Sequence, residues 1–201
     1  MIFINSMGEE LIHFIKFLIG TEKPKTQTTP EEQNAIEKYA ANAESAVEIG
    51  VFEGFNTLNI AKSIRDSGKV YAIDPFLKGR MGICYGELIS ERYIAKAGLR
   101  TKVNFVKKYS FEAVDNVPEQ VEFIFIDGDH SYEGIRKDWD LWSGKIKVDC
   151  IIALHDTSVP IHNPEVKYLG SYKFFNEVIK NDHRFINLET VDSMNILKRV
   201  K

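Results

Sequence analysis

The chain is poor in cysteine, in proline and in charge of one sign, and no long apolar run goes uninterrupted. Two cysteines, Cys84 and Cys150, lie far apart in 201 residues. That excludes a disulfide framework and suits a reduced, cytoplasmic protein. The formal charge of −3 comes with no block of like charges. A nucleic-acid partner would need a basic footprint, and an interaction tail would need a charge block. The N-terminal stretch 1–20 is apolar but is broken by Glu9, Glu10, His13 and Lys16. Those interruptions exclude a membrane span of roughly 20 apolar residues and the unbroken core of a signal peptide. Leu11, Ile12, Ile15, Leu18 and Ile19 instead recur at helical spacing. They predict an amphipathic helix packed on the domain or on a second copy of the chain, as in a homodimer.

What is present is enough apolar sequence, 44%, for one sizeable core. We expect a helical appendage and linker over 1–42 and one domain over 43–201. Gly20 to Thr29 is polar and reads as the linker. Thr29-Pro30-Glu31-Glu32 places a cap, a proline at the first helical position and a glutamate three residues past the cap. This capping box starts a helix to about Ala41.

From Ala43 strands and helices alternate. Strands are predicted at 46–49, 69–73, 102–106, 121–126 and 149–154, with helices at 55–65, 86–97, 110–114, 131–142 and 172–180 between or after them. Segments 184–188 and 194–198 form a closing antiparallel pair. The pattern predicts an α/β fold, a doubly wound and mainly parallel seven-stranded sheet covered on both faces. Ligands of such sheets sit beyond the carboxyl ends of the strands, at the switch in strand order. The polar clusters of the chain fall at those ends, which points to an enzyme.

The first cluster is the turn Glu48-Ile-Gly-Val-Phe-Glu-Gly-Phe-Asn-Thr57. A dinucleotide fingerprint needs glycine at 52 so that the backbone can approach a pyrophosphate, and Phe52 stands there. A Walker loop needs Gly-Lys-Ser/Thr at its end, and Gly54-Phe55-Asn56 is not that. S-adenosylmethionine (SAM) fits instead: its cationic sulfonium and amino-acid tail can use an acidic residue and exposed amides. Asp74, at the end of the second strand, suits the ribose hydroxyls.

Val47–Thr57, Val70-Tyr-Ala-Ile-Asp-Pro75 and Phe123-Ile-Phe-Ile-Asp-Gly-Asp-His-Ser-Tyr-Glu-Gly134 together resemble the class I SAM-dependent methyltransferases. More narrowly, they resemble a small bacterial branch of methyltransferase-domain or cephalosporin-hydroxylase-like proteins. That branch is similar to metal-dependent O-methyltransferases acting on sugars and macrolides. The resemblance covers roughly 43–199. It implies a Rossmann-like methyltransferase fold and a cofactor set of Glu48, Gly50, Phe52, Gly54, Asn56, Thr57, Asp74, Pro75, Ser110 and Asp127. Glu48 and Gly50 would border the methionine end, Asp74 the ribose and Ser110 the adenine.

Asp127 and Asp156, brought to one sheet edge, would repel unless a cation sat between them. By resemblance the metal ligands would be Asp127, His155 and Asp156, with magnesium or manganese as the ion. His155 departs from the carboxylate or amide of close relatives, and imidazole suits manganese, iron or zinc better than magnesium. Asp129 and His130 compete as general base. The resemblance favours Asp129. The loops at 76–86 and 157–168, with Tyr132, are expected to shape the pocket of a small-molecule acceptor. The alternatives are a metal-independent methyltransferase and a non-catalytic SAM-binding or assembly protein. A nicotinamide oxidoreductase ranks last because of Phe52, and no His-x-Asp iron triad supports a hydroxylase.

Overall fold

A computed structural model describes residues 7–79 and 82–201. Residues 1–6 of the apolar N-terminal stretch, and Arg80 and Met81 of the 76–86 loop, lie outside the described residues. The chain forms a seven-stranded sheet in the order β3-β2-β1-β4-β5-β7-β6. Its strands are β1 (Ser45–Ile49), β2 (Lys69–Ile73), β3 (Val103–Val106), β4 (Val121–Ile126), β5 (Ile146–Leu154), β6 (Phe185–Val191) and β7 (Met194–Arg199). The first five pair in parallel, while β7 is antiparallel to both β5 and β6.

β4 shows why the sheet is central. Phe123 and Phe125 enter one core, while Ile124 and Ile126 enter the other, because strand side chains alternate between faces. The first core lies under α2 (Pro30–Ala40), α3 (Phe55–Ser63) and α4 (Tyr85–Lys96), through Ile36, Ile60 and Ile94. The second lies under α5 (Tyr132–Trp142) and α6 (Gly170–Glu177), through Trp139, Trp142 and Phe174. Truncating one such buried aromatic to alanine costs about 3–5 kcal/mol. Helices on both faces of a parallel sheet make the doubly wound fold expected from the sequence.

Two differences from the expected elements have local causes. β5 starts at Ile146 rather than Asp149, with a register shift against β4 and a left-handed Asp149 (φ 68°). The strand thus runs through an irregularity that breaks its apolar pattern. The last helix ends at Glu177 and passes into a 3-10 turn over Ile179–Asn181, with Ile179 buried.

The N-terminal segment is wired into the rest. Glu32 makes the capping box with Thr29, and its carboxylate also accepts from the Ser193 N–H and hydroxyl in the β6–β7 region. α1 (Met7–Leu18) lies along α4, with Phe14 against Tyr85 and Phe17 against Tyr93. Among the described residues no helix is long and apolar enough to cross a membrane.

The order turns at β1, which has β2 on one side and β4 on the other. The crevice beyond the carboxyl ends of β1 and β4 is therefore the place for a ligand.

Candidate active site

The turn after β1 is shaped by backbone crowding. Gly50 has φ +89°, and a side chain there would place Cβ 2.0 Å from the Asp127 carbonyl oxygen at the end of β4. The Asp127 N–H donates to the Ile49 carbonyl (2.8 Å), so the two strand ends touch where they diverge. Gly54 has φ +79° and abuts Ser90 of α4. Phe52 is also left-handed (φ 53°) and is 48% exposed. A bulky residue held there is strained, and the structure around it must supply the difference.

Asp74 supplies part of it. Its Oδ2 accepts from the Val51 and Phe52 N–H groups (3.0 and 3.2 Å), and its Oδ1 accepts from the Phe76 N–H (2.7 Å). One carboxylate thus ties the β1 turn to the end of β2. Pro75 follows it, half-buried. A cavity of about 250 Å3 opens beside Asp74, lined by Phe52, Phe76, Leu77 and Tyr85, with His13 of α1.

Glu48 is buried beneath the turn. The Thr57 hydroxyl donates to its Oε2, while its Oε1 has no partner. Burial, and then the neighbouring Asp127 and Asp74, push its pKa well above the usual carboxylate range. A cationic ligand would complete this site. Asn56, next to Thr57 on α3, faces away from it and accepts from the Thr28 hydroxyl (3.0 Å).

The expected reaction residues cluster, with one exception. His155 Nδ1 lies 3.0 Å from Asp127 Oδ1 and 3.7 Å from Asp156 Oδ1. His130 stands across from them, with Nε2 3.6 Å from Asp127 Oδ1 and Nδ1 3.4 Å from Asp156 Oδ2. Asp156 is itself left-handed (φ 53°), and the Ser171 hydroxyl holds its carbonyl (2.7 Å). Asp129 is the exception. It is exposed and accepts from the Ser131 N–H and hydroxyl (both 2.9 Å), at the start of α5.

His155 is buried, and its Nδ1 makes no aligned hydrogen bond with either nearby carboxylate. Its Nε2 faces Glu32 Oε2 at 3.3 Å. Burial pulls the His155 pKa down, but Asp127, Glu32 and Asp156 together outweigh it and hold it well above the ordinary imidazole value. Burial likewise raises Glu32, yet His155, Thr29 and Ser193 hold it at about 2. The carboxylates around His155 thus call for positive charge. Among the described residues no three such side chains stand gathered as a finished metal cage. His155 itself supplies part of that charge, with Asp127 and Asp156 on the Nδ1 side of the ring and Glu32 on the Nε2 side.

Ser110 donates to Asp138 Oδ1 on α5. Burial pushes Asp138 up to about 6, against the pull of the Ser110 hydrogen bond, with Asp129 adding a smaller push. A Cβ on Gly128 would lie 3.5 Å from Asp138 Oδ2, so this pair sits under the Asp127–His130 segment.

Several residues here were not singled out as site residues from sequence. Glu53 is buried in the glycine turn, and its Oε2 faces His13 Nε2 (2.8 Å) and accepts from the Lys25 N–H (2.5 Å). His13 Nδ1 also meets Glu22 (2.6 Å). A polar histidine inside an apolar helix was the available signal for this contact. Glu32 showed only its capping role.

The sequence pattern of the methyltransferase-domain family matches residues 47–157. Caffeoyl-CoA O-methyltransferase 2 of Petunia hybrida is 27% identical over 181 residues, 79% of this chain and 69% of that protein. Among curated relatives the matched part spans 14% of one protein's length and 63% of another's, less than two thirds of each. The fold is that of the O-methyltransferase from Bacillus cereus in complex with SAH (TM-score 0.64, 19% identity, 100% of this chain and 94% of that one). It is also that of TomG from Streptomyces achromogenes, an O-methyltransferase involved in tomaymycin synthesis, in complex with SAM (TM-score 0.66, 13% identity, 99% and 93%). Glycine turn, acidic β2 end and matched span agree, and the chain belongs to the methyltransferase-domain family.

Proposed function

We propose that the chain transfers a methyl group from SAM to a hydroxyl of a small-molecule acceptor, a class that includes sugars, and that a divalent metal assists. The observation that carries the SAM reading is the buried Glu48 carboxylate, whose Oε1 has no partner, at the switch in strand order. The ammonium of an amino-acid tail would complete it. Asp74, already accepting from three amides, has one lone-pair site left for a ribose hydroxyl. The O-methyltransferase relatives and fold neighbours support the same reading.

SAM supplies an electrophilic methyl on a sulfonium sulfur. As the acceptor oxygen forms the new C–O bond and the S–CH3 bond breaks, the hydroxyl proton must leave. His130 is the residue suited to take it, since Asp127 and Asp156 lie near its two ring nitrogens (3.6 and 3.4 Å) and would stabilise the imidazolium that forms. Asp129 is committed to Ser131 and the start of α5. Asp127, His155 and Asp156 would hold the metal, whose charge lowers a hydroxyl pKa and orients the oxygen. Holding acceptor and methyl donor together supplies the rest, by removing the entropic cost of their meeting.

Calorimetric titration and a radiolabelled methyl-transfer assay over a panel of hydroxylated acceptors test this reading. Wild type is expected to bind SAM at one site, with Glu48→Gln weakening it at least about tenfold, the scale of one charge-assisted hydrogen bond. SAM binding with no transfer to any acceptor would favour a non-catalytic SAM-binding protein. Leu11, Ile12, Ile15 and Ile19 of the N-terminal segment are exposed and apolar. They support a homodimer, which sedimentation velocity checks.

A further inference from the structure

His13 sits where the N-terminal segment closes over the glycine turn. It is buried, and each ring nitrogen meets a carboxylate from a different segment. Nδ1 lies 2.6 Å from Glu22 Oε2 in the linker, and Nε2 lies 2.8 Å from Glu53 Oε2 in the turn. Glu53 Oε2 already accepts from the Lys25 N–H (2.5 Å), and Glu22 Oε1 accepts from Lys16 (2.6 Å). Lys16, and then His13, hold the Glu22 carboxyl below the usual carboxylate range, so it is ionised. Both oxygens facing the ring are therefore acceptors, and both ring nitrogens must carry a hydrogen. The ring held there is an imidazolium. The other charged or titratable groups around it line the same cavity: Glu10 of α1, Lys25, Asp74, and Cys84 and Tyr85 at the start of α4. Carboxylates thus outnumber cations on every side of the ring.

We infer that His13 is a positioning residue for the cofactor turn, an imidazolium clamp between the N-terminal segment and Glu53 that loosens, and weakens SAM binding, when the ring loses its second proton. This rests on the SAM reading of that turn. A neutral ring has one bare nitrogen, whose lone pair would face a carboxylate oxygen at 2.6 or 2.8 Å, so one of the two contacts must open. Imidazole gives up that proton as pH rises, so the clamp is present on the acid side and lost on the alkaline side. What else holds α1 is Phe14 on Tyr85 and Phe17 on Tyr93, with Lys96 over the Phe17 ring. None of those groups changes charge near neutrality. Glu53 follows Phe52, so a shift of its side chain reaches the amides that Asp74 gathers. His13, Glu22 and Lys25 lie outside the 47–157 match to the family, so the clamp belongs to the N-terminal segment of this chain.

The test measures SAM affinity of the full chain by calorimetry at about pH 6 and about pH 9, either side of the imidazole range, for wild type and His13→Gln. Glutamine keeps a polar side chain there and is uncharged at both values. Dividing the variant's Kd by that of wild type at each pH cancels the titration of SAM itself. The ratio is expected to be about three- to tenfold at the lower pH and within about twofold of unity at the higher. Hydrogen exchange over residues 7–29 of the ligand-free chain reads the clamp without SAM. After correction for the intrinsic pH dependence of exchange, wild type is expected to exchange several-fold faster at the higher pH, and His13→Gln equally at both. Phe17→Ala removes an apolar contact and is expected to exchange faster than wild type at both values while keeping the pH dependence. Circular dichroism establishes that each variant is folded. A Kd ratio that is the same at both pH values would overturn the clamp and make His13 a packing residue. Wild-type exchange indifferent to pH would overturn it as well. Exchange that follows pH in a wild type that binds no SAM at either value would overturn the SAM reading and leave the clamp standing.

Discussion

The two halves of the crevice are built by different physics. On the β1–β2 side the backbone dominates: left-handed glycines, a carbonyl that leaves no room for a Cβ, and one aspartate gathering three amides. On the β4–β5 side the side chains dominate. Two histidines and two aspartates crowd together, and a fully buried carboxylate that touches them comes from α2. A backbone-built site tolerates few substitutions but is readable from glycine spacing. A side-chain-built site tolerates more, yet its partners come from anywhere in the chain.

Substitutions on each side should therefore fail in different ways. The largest effect is expected for Gly50→Ala. With the new Cβ 2.0 Å from a carbonyl oxygen, strands β1 and β4 must part. A loss of about 4 kcal/mol or more, seen as failure to fold or a large drop in melting temperature, is the expected result. Next is Asp156→Asn, which removes one flanking carboxylate but leaves the glycine turn intact. Methyl transfer should fall by at least about a hundredfold, the scale of one group acting on the reacting atoms, while SAM affinity stays within a few-fold. If SAM binding fell in parallel, the two halves would not be separable.

A smaller effect is expected at Asp138, beneath both halves. Its folded pKa of about 6 lies above the ordinary carboxylate value of 3.8. The folded state therefore holds its proton longer than the unfolded chain, so this group costs stability as pH rises from about 4 to 6. Asp138→Asn keeps an acceptor for Ser110 and removes the charge. It should be more stable than wild type at pH 8, by on the order of 3 kcal/mol, and the gap should close by pH 4. Denaturant unfolding at both pH values checks this, and a gap that widened on acidification would reverse the assignment. The smallest effect is expected for His13→Ala, which removes one of two groups on Glu53. A rise of roughly three- to tenfold in the SAM Kd is expected, since the glycine turn loses a brace and keeps its shape.

The fold was largely legible because its signals are local or periodic. β4 is a six-residue strand, apolar except for Glu122, that ends on Asp127, and it lies at the centre of the sheet as expected. The Thr29–Glu32 capping box is present as its spacing predicts. β5 was read three residues short because Asp149 interrupts it with a left-handed backbone. The residues of the candidate site were placed less completely. Asp127, His155 and Asp156 do converge, since each ends a strand and neighbouring strands end together. Asp129 and His130 are adjacent in sequence, and only the turn at Ser131 separates their surroundings. Glu32 and His155 meet across 123 residues, a contact that no spacing rule announces.

The central claim is that the β1 turn and Asp74 form a SAM site, and calorimetric titration of the wild-type chain with SAM and, separately, with NAD tests it most directly. The account predicts one SAM site per chain, weakened at least about tenfold by Asp74→Ala, and no heat from NAD. Binding of NAD without SAM would contradict it.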